Sequence, residues 1–346
     1  MSRPRSRQPR FARFRPLLEA ALRRALSRGE DTELQRMVRY HLGYADARGR
    51  PVRGQRGKGV RATLCFLACK AVDGQPAAAA PAAAALARVH SLPHLHHDIM
   101  DQDELRHGRP TVWRRWGEAR AIAAGDALFA LANLALADLD PRRVAPQTIA
   151  SIVWLLNQAV LEVCEGQALD LVYQGRADVT RSEYLAMVSL KTGSLLRAAA
   201  AIGAAVGGGG ERALAGLGSF GAHLGAAYQI RDDLLGLWGD PGRLGKPVGS
   251  DLRQNKRSLP IVLALSEGSE QLRARLHQAL GQGGAGAEEA AALAQIMERE
   301  GIREACELLA RQQIEEALSW LARAGGSAEG EAELREFAEF LAARAY

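Results

Sequence analysis

Several things are scarce in this sequence, and each scarcity narrows the reading. Aromatic residues make up only 5% of it, and β-branched residues are few beside alanine and leucine, a balance that favours helix over sheet. Cysteine occurs four times in 346 residues, at Cys65, Cys69, Cys164 and Cys306. No CxxC and no Cys/His zinc spacing appears, so four buried thiols in a reducing cytoplasm are expected. No clean apolar run reaches the roughly 20 residues that span a bilayer, and the alanine-rich stretch 77–87 is too short and too weakly apolar to do so. Strand-like alternation bounded by turns is missing, as is any repeat of fixed period.

Acid is absent from one place. The first eighteen residues carry six arginines (Arg3, Arg5, Arg7, Arg10, Arg13 and Arg15) and no Asp or Glu. They account for the net charge of +6; the remaining chain is close to neutral, so its body is not a basic nucleic-acid-binding surface. Residues 1–15 read as a disordered, soluble arm, with contact to anionic lipid or nucleic acid as the alternative. The arm lacks the apolar segment of a secretory signal, while an organelle transit peptide would share its composition.

What the chain does have is helical period almost throughout. Amphipathic or apolar helices are predicted over 14–26, 32–42, 60–71, 81–100, 117–139, 146–173, 181–206 and 212–238. Short glycine-rich breaks fall at 207–210, 281–286 and 325–330. The expectation is an all-α fold: one domain over residues 16–346, a bundle of ten or more helices around a central cavity. In such a bundle, ligand sites are built from polar side chains on otherwise apolar helices.

Two acidic clusters meet that description. The first runs His96-His97-Asp98-Ile99-Met100-Asp101-Gln102-Asp103-Glu104-Leu105-Arg106-His107-Gly108-Arg109-Pro110-Thr111. His97, Asp98 and Asp101 share a helical face. Carboxylates gathered there repel one another unless a cation lies among them, and oxygen ligands suit Mg²⁺, which keeps part of its shell for water and phosphate. The second is Gln229-Ile230-Arg231-Asp232-Asp233-Leu234-Leu235-Gly236, late in another long helix and flanked by apolar residues. Adjacent carboxylates near a buried face are costly without compensation; a metal, or Lys246 or Lys256, would supply it. A solvated acidic face at a helix end explains either cluster alone.

Taken with the motifs around them, these clusters resemble the trans-isoprenyl diphosphate synthase family, of the geranylgeranyl diphosphate synthase type. The likeness runs from about Arg15 nearly to the end. It includes Gly57-Lys58-Gly59-Val60-Arg61, His90, the stretch from His96 to Thr111, Glu165-Gly166-Gln167 with Asp170, Lys191-Thr192-Gly193, the stretch from Gln229 to Gly236, and Gly245-Lys246-Pro247 followed by Asp251-Leu252 and Lys256 to Pro260. The resemblance implies a prenyltransferase joining isopentenyl diphosphate to an allylic prenyl diphosphate. Mg²⁺, with Mn²⁺ as the alternative, would be held by His97, Asp98, Asp101, Asp232 and Asp233. Lys58, Arg61 and His90 would bind isopentenyl diphosphate. Arg106, His107, Lys191 and Lys256 would meet the allylic phosphates, assisted by Lys246, and Thr192 and Gln229 would position the reacting groups. A cytoplasmic homodimer is implied, with no transmembrane segment and no nucleic-acid partner.

The chain also departs from that pattern. His97 stands where the family's first motif begins with aspartate, and histidine is a poor ligand for hard Mg²⁺. His107 replaces an arginine, Gly59 another, and Gly236 replaces the last aspartate of the second motif. Two further readings therefore stay open: a related enzyme that ionises a prenyl diphosphate but cyclises it or transfers it otherwise, and a non-catalytic subunit of a heteromeric synthase. Leu92 and Pro93, five and four residues before the first motif, are not aromatic, which leaves the floor of the tail pocket open and favours a C20 product. Pro93 should also kink its helix.

Overall fold

The structure, a computed structural model, describes residues 10–26, 32–52, 59–239 and 249–343. Lys58, Lys246 and the arginines before Arg10 lie outside the described residues. The described chain is helical almost throughout and groups into two compact units. The first comprises residues 1–157, 199–215 and 325–334, and the second 158–198, 216–324 and 335–346.

The helices are α1 (Arg15–Leu26), α2 (Glu33–His41), α3 (Val60–Ala71), α4 (Ala80–Met100), α5 (Val112–Trp116), α6 (Glu118–Leu136), α7 (Pro146–Gln174), α8 (Arg181–Val188), α9 (Ser194–Val206) and α10 (Glu211–Trp238). They continue as α11 (Ser250–Arg253), α12 (Leu259–Glu267), α13 (Glu270–Gly281), α14 (Ala287–Arg299), α15 (Ile302–Ala324) and α16 (Ala328–Ala342). The all-α bundle with ten or more helices is borne out. Local chemistry sets several of the starts. Thr32 caps α2 by accepting from the Gln35 N–H. Thr180 and Glu183 form a reciprocal capping box at α8, which satisfies two backbone donors that a helix start leaves open.

In the first unit α4 packs along α6. Ala82, Ala83, Ala84 and Ala85 on α4, and Ala121 and Ala124 on α6, are fully buried. Leu92, Leu95, Val112 and Leu128 form a core with Met37 and Val38, so Leu92 is a packing residue here. Pro93 is accommodated inside α4, which runs unbroken from Ala80 to Met100. The arginine-rich arm takes on structure from Arg10. Arg10–Phe14 is a 3₁₀ turn, Phe14 stacks on Phe66 with centroids 5.3 Å apart, and Arg13 pairs with the buried Glu333 at 2.6 Å. In the second unit Leu259, Ile261, Val262 and Leu263 of α12 are buried with Tyr184, Ile230 and Leu237.

Four expectations need correction. The predicted helix over 181–206 is interrupted by a π-helical segment, Ser189–Gly193, and such segments concentrate at functional positions. A two-stranded hairpin exists, Leu105–Arg106 against Arg109–Pro110; strands of two residues are too short to show alternation. His107 and Gly108 form its turn with φ of +51° and +72°, the pattern of a two-residue primed turn. Cys164 is exposed on α7, while the other three thiols are buried. Finally α6, α7 and the run 181–206 are long and apolar enough to cross a membrane by length and composition.

Candidate active site

The second unit contains a cavity of about 240 Å³ lined by residues from α7, α8, the π-helical segment, α10 and α11. Asp170, Lys191, Gln229, Asp232, Asp233, Asp251 and Lys256 all face it. The π-helical segment brings Lys191 to the cavity wall and Thr192 to Gln229 behind it. Gly166 makes this possible, because a Cβ there would lie 2.4 Å from the Lys191 backbone nitrogen. Lys191 Nζ then reaches Asp170 Oδ2 at 2.6 Å.

A chain of hydrogen bonds ends on Asp233. Thr192 Oγ1 donates to Gln229 Oε1 at 2.8 Å, and Gln229 Nε2 donates to Asp233 Oδ1 at 2.9 Å. Asp233 Oδ2 accepts from the Tyr184 hydroxyl and from the Leu259 N–H at 2.8 Å. The last bond satisfies a backbone donor at the start of α12, whose own cap residue, Ser258, makes no side-chain cap. Burial pushes the Asp233 carboxyl up to about 7, and the nearby Asp251 adds to the effect; the Tyr184, Leu259 and Gln229 donors oppose it. Successive helical residues point about 100° apart, and Asp232 is exposed where Asp233 is buried. Both line the cavity, but Asp232 is exposed to it, while Asp233 is buried and ties three helices together.

In the first unit the acids collect at the C-terminal end of α4, where the helix dipole is negative and cations are favoured. Asp101 is the C-cap residue and is exposed; His97 is half-buried. Asp98 is 1% exposed. Its Oδ1 accepts from Arg106 Nε at 2.7 Å, while its Oδ2 is buried with no hydrogen-bond partner. Burial raises the Asp98 carboxyl above its usual range; Arg106 pulls it back, and Asp103 and Asp101 push it further up. The hairpin that carries Arg106 is itself anchored. The Tyr40 hydroxyl donates to the Pro110 carbonyl at 2.7 Å, Arg109 lies 4.0 Å over the Tyr40 ring, and Trp113 Nε1 donates to the Asp103 carbonyl at 2.9 Å. His107 sits exposed at the hairpin tip.

One to two turns back along α4 lies a set of imidazoles. Arg61 Nη1 and His90 Nε2 are 3.2 Å apart. The His90 and His94 rings meet edge to face with centroids at 4.8 Å. His41 Nε2 contacts the Ser91 carbonyl at 2.9 Å. Enclosure lowers all three below the usual histidine range, His41 to about 4. Positive charge from Arg106 adds to the lowering in each case, and that from Arg61 adds to it at His90 and His94. These histidines are therefore neutral near pH 7, hydrogen-bonding groups beside an arginine that carries the charge.

Each unit thus gathers its own sequence-predicted residues: Arg61, His90, His97, Asp98, Asp101, Arg106 and His107 in one, Lys191, Thr192, Gln229, Asp232, Asp233 and Lys256 in the other. Sequence reasoning passed over His41, Tyr184 and, as a site residue, Asp251. Tyr184 carried no signal beyond its place in a helix. Asp251 was visible as part of the Asp-Leu element but had no role attached.

The polyprenyl synthetase family model matches residues 50–297. A (2E,6E)-farnesyl diphosphate synthase of Mycobacterium tuberculosis is 38% identical over 317 residues, 91% of this chain and 87% of that protein. A geranylgeranyl diphosphate synthase of the same organism is 43% identical over 237 residues, 68% of this chain and 67% of that one. The crystal structure of a polyprenyl synthetase from Streptomyces coelicolor A3(2) superposes with a TM-score of 0.87 at 38% identity, covering 95% of this chain and 98% of that one. Family model, relatives and fold agree, and the chain belongs to the polyprenyl synthetase family.

Proposed function

We propose that the chain is a cytoplasmic prenyltransferase that condenses isopentenyl diphosphate with an allylic prenyl diphosphate to give a longer trans-prenyl diphosphate, C20 in preference to C15. The observation that carries this reading is the cavity in the second unit, where an exposed Asp232 stands beside Lys191 and Lys256 and a positioned Thr192–Gln229–Asp233 chain stiffens the wall. Fixed positive groups and acids in one cavity suit a magnesium diphosphate, since the developing charge on a leaving diphosphate is stabilised by donors already in place.

The donors fit a hard divalent cation. Asp98 Oδ2, a buried anionic oxygen without a hydrogen-bond partner, and the carboxylates of Asp101 and Asp232 are oxygen ligands. Mg²⁺ takes few protein carboxylates and keeps waters and phosphate oxygens in its shell. In the second unit Asp232 would hold such a cation; in the first, Asp101 would, with Asp98 and His97 beside it. When bound, it supplies screening of the diphosphate charge. Lys191 and Lys256 bind phosphate oxygens, and Thr192 and Gln229 hold the allylic end in place. Arg61 and His90 bind the diphosphate of the second substrate, the arginine by charge and the neutral imidazole by a hydrogen bond. The double bond of isopentenyl diphosphate attacks the allylic carbon as its C–O bond breaks, and a proton then leaves to the freed diphosphate.

The enzyme acts as a homodimer. In the first unit Ile122, Leu134 and Trp154 expose 48%, 58% and 64% of their surface, large apolar side chains that a second copy would cover. Leu134→Glu with Trp154→Glu should halve the mass seen by light scattering. For the reaction, purified protein is incubated with isopentenyl diphosphate and C5, C10 or C15 allylic diphosphates, with Mg²⁺ and separately with Mn²⁺, and products are weighed by mass spectrometry. A C20 diphosphate is expected. Hydrocarbon or alcohol products would replace the reading with a cyclase, and no product under any condition would leave a non-catalytic subunit.

A further inference from the structure

Three imidazoles gather in the first unit, and they are not equally tied. His41 Nε2 is 2.9 Å from the Ser91 carbonyl. A carbonyl oxygen only accepts, so Nε2 carries the His41 proton. Arg61 Nη1 stands 3.2 Å from His90 Nε2. A guanidinium only donates, so His90 Nε2 accepts and the His90 proton is on Nδ1. Each of these rings has its tautomer set by a fixed neighbour.

His94 has no such neighbour. Its ring packs on His90 edge to face, with centroids 4.8 Å apart, and among the described residues it makes no hydrogen bond. It is only partly exposed. A neutral imidazole has one N–H to give and one lone pair to offer, and polar groups withdrawn from water are nearly always paired. A ring held in place with both nitrogens lacking a partner points to a ligand. Its surroundings say which kind. Arg61 of α3 and Arg106 of the hairpin both bear on His94 with positive charge, while His41 of α2 and His90 are neutral. Donors beside fixed cations suit an anion, phosphate above all. His90 and His94 are four residues apart on α4, so they share one face of that helix.

We propose that His94 is a further ligand of the second substrate, donating a ring N–H to the same diphosphate that Arg61 and His90 receive. The inference deepens the prenyltransferase reading above and rests on it. Arg61 brings the charge, His90 brings its Nδ1 proton, and His94 adds a second neutral donor one turn further along α4. Glycine at 59 and histidine at 107, where the family pattern has arginine, leave this chain with fewer permanent cations. A neutral donor can take part in the binding without the desolvation that a further enclosed charge would require.

The test is steady-state kinetics of the full chain with Mg²⁺, isopentenyl diphosphate and an allylic diphosphate, with thermal unfolding followed in parallel. His94→Phe keeps a ring against His90 and removes both nitrogens. It should raise KM for isopentenyl diphosphate by about 10–100-fold, the loss of one hydrogen bond to a charged group. Both kcat and KM for the allylic substrate should stay within about twofold, well under that loss. The unfolding temperature should hold or rise, because a polar group without a partner has been removed. His94→Gln restores an N–H donor and should bring KM back to within about threefold of wild type, again below the loss of one such bond. An unchanged KM for isopentenyl diphosphate in His94→Phe overturns the inference. So does an equal rise in KM for both substrates, or a rise that His94→Gln does not repair and that comes with a lower unfolding temperature, the mark of a packing residue. If His94→Phe does not fold, the smaller His94→Leu is read by the same measures. A wild-type protein that makes no longer prenyl diphosphate overturns the prenyltransferase reading itself, and this inference with it.

Discussion

At the end of α4 a buried carboxylate, Asp98, is met by a cation; towards the end of α10 another, Asp233, is met by neutral donors. Arg106 takes one oxygen of Asp98 and leaves the other without a partner. Tyr184, Gln229 and the Leu259 N–H take both oxygens of Asp233. Both carboxylates sit in the C-terminal part of a helix, the negative end of the dipole. The difference teaches that adjacent acids in a motif need not share a task. In the second unit Asp233 holds the wall and frees its neighbour Asp232 for the cavity. In the first, position 97 is a histidine, so the exposed Asp101 is left to act with fewer oxygen ligands.

The sharpest way to break this comparison is to swap roles within the second motif. Asp232→Asn should cut kcat by about 10²–10³-fold, the scale of losing one group that stabilises a developing charge, and leave thermal stability nearly unchanged. Asp233→Ala should do the opposite first. It leaves the Tyr184 hydroxyl and the Leu259 N–H buried without acceptors, a cost of about 1–3 kcal/mol for each group. A large fall in the unfolding temperature is expected, with activity lost through the disordered wall. Equal stability in the two variants would show that Asp233 does not tie the helices.

Acid separates the two units by sign. The Asp233 carboxyl, at about 7 when folded against 3.8 ordinarily, holds its proton more tightly in the folded state. Its contribution is fully present below about pH 4 and is lost as pH rises through about 7. His41, at about 4 against 6.5, is the reverse: its contribution is fully present above 6.5 and is lost as pH falls through about 4, worth about 3 kcal/mol at most. His90 and His94, lowered for the same reason, add to the acid-side loss. Urea unfolding of metal-free protein from pH 4 to 8 checks this. His41→Phe should flatten the acid side, and Asp233→Asn should flatten the slope from 4 to 7.

Arg106→Met should cost less. The pair is half-open, since the Arg106 side chain is 28% exposed against 2% for Asp98, and solvent screens part of the attraction. Stranding Asp98 should destabilise by about 1–3 kcal/mol. Asp98→Asn in the same protein should restore most of that, because the remaining group carries no charge. Failure of this rescue would show that Arg106 acts through the hairpin and not through Asp98.

Much of this was legible in the sequence, for identifiable reasons. Helical period and the small-residue content gave the all-α bundle, and the order of the motifs gave the family. Lys191, Gln229, Asp232 and Lys256, which line the cavity of the second unit, were named in advance because their motifs resemble those of the family. What was not legible depends on contacts between segments distant in sequence. Nothing near Tyr184 announces that its hydroxyl closes on a residue 49 positions later. The division of labour between Asp232 and Asp233 follows from burial, which a pair of identical letters hides. The hairpin at Arg106 was missed because two-residue strands have no period; at Lys191-Thr192-Gly193 a helix irregularity was a minor reading, since Thr and Gly weaken a helix without showing that it widens into a π turn.

The smallest effect concerns the altered motif itself. His97→Asp places a hard oxygen ligand beside Asp101, where an imidazole offers nitrogen. Mg²⁺ favours oxygen ligands, while Mn²⁺ tolerates imidazole better. The change should lower the Mg²⁺ concentration for half-maximal activity by about 3–10-fold, roughly 1 kcal/mol of cation binding, and narrow the advantage of Mn²⁺ over Mg²⁺. It also adds a negative charge at a helix end that already carries Asp98, Asp101 and Asp103, so without a divalent cation the variant should unfold at a lower temperature than wild type. The two readouts move in opposite directions for one physical reason: the new carboxylate is a liability until a cation neutralises it. If the Mg²⁺ requirement instead rises while stability holds, His97 has a task of its own, and the first motif is a different device from the second and not a weakened copy of it.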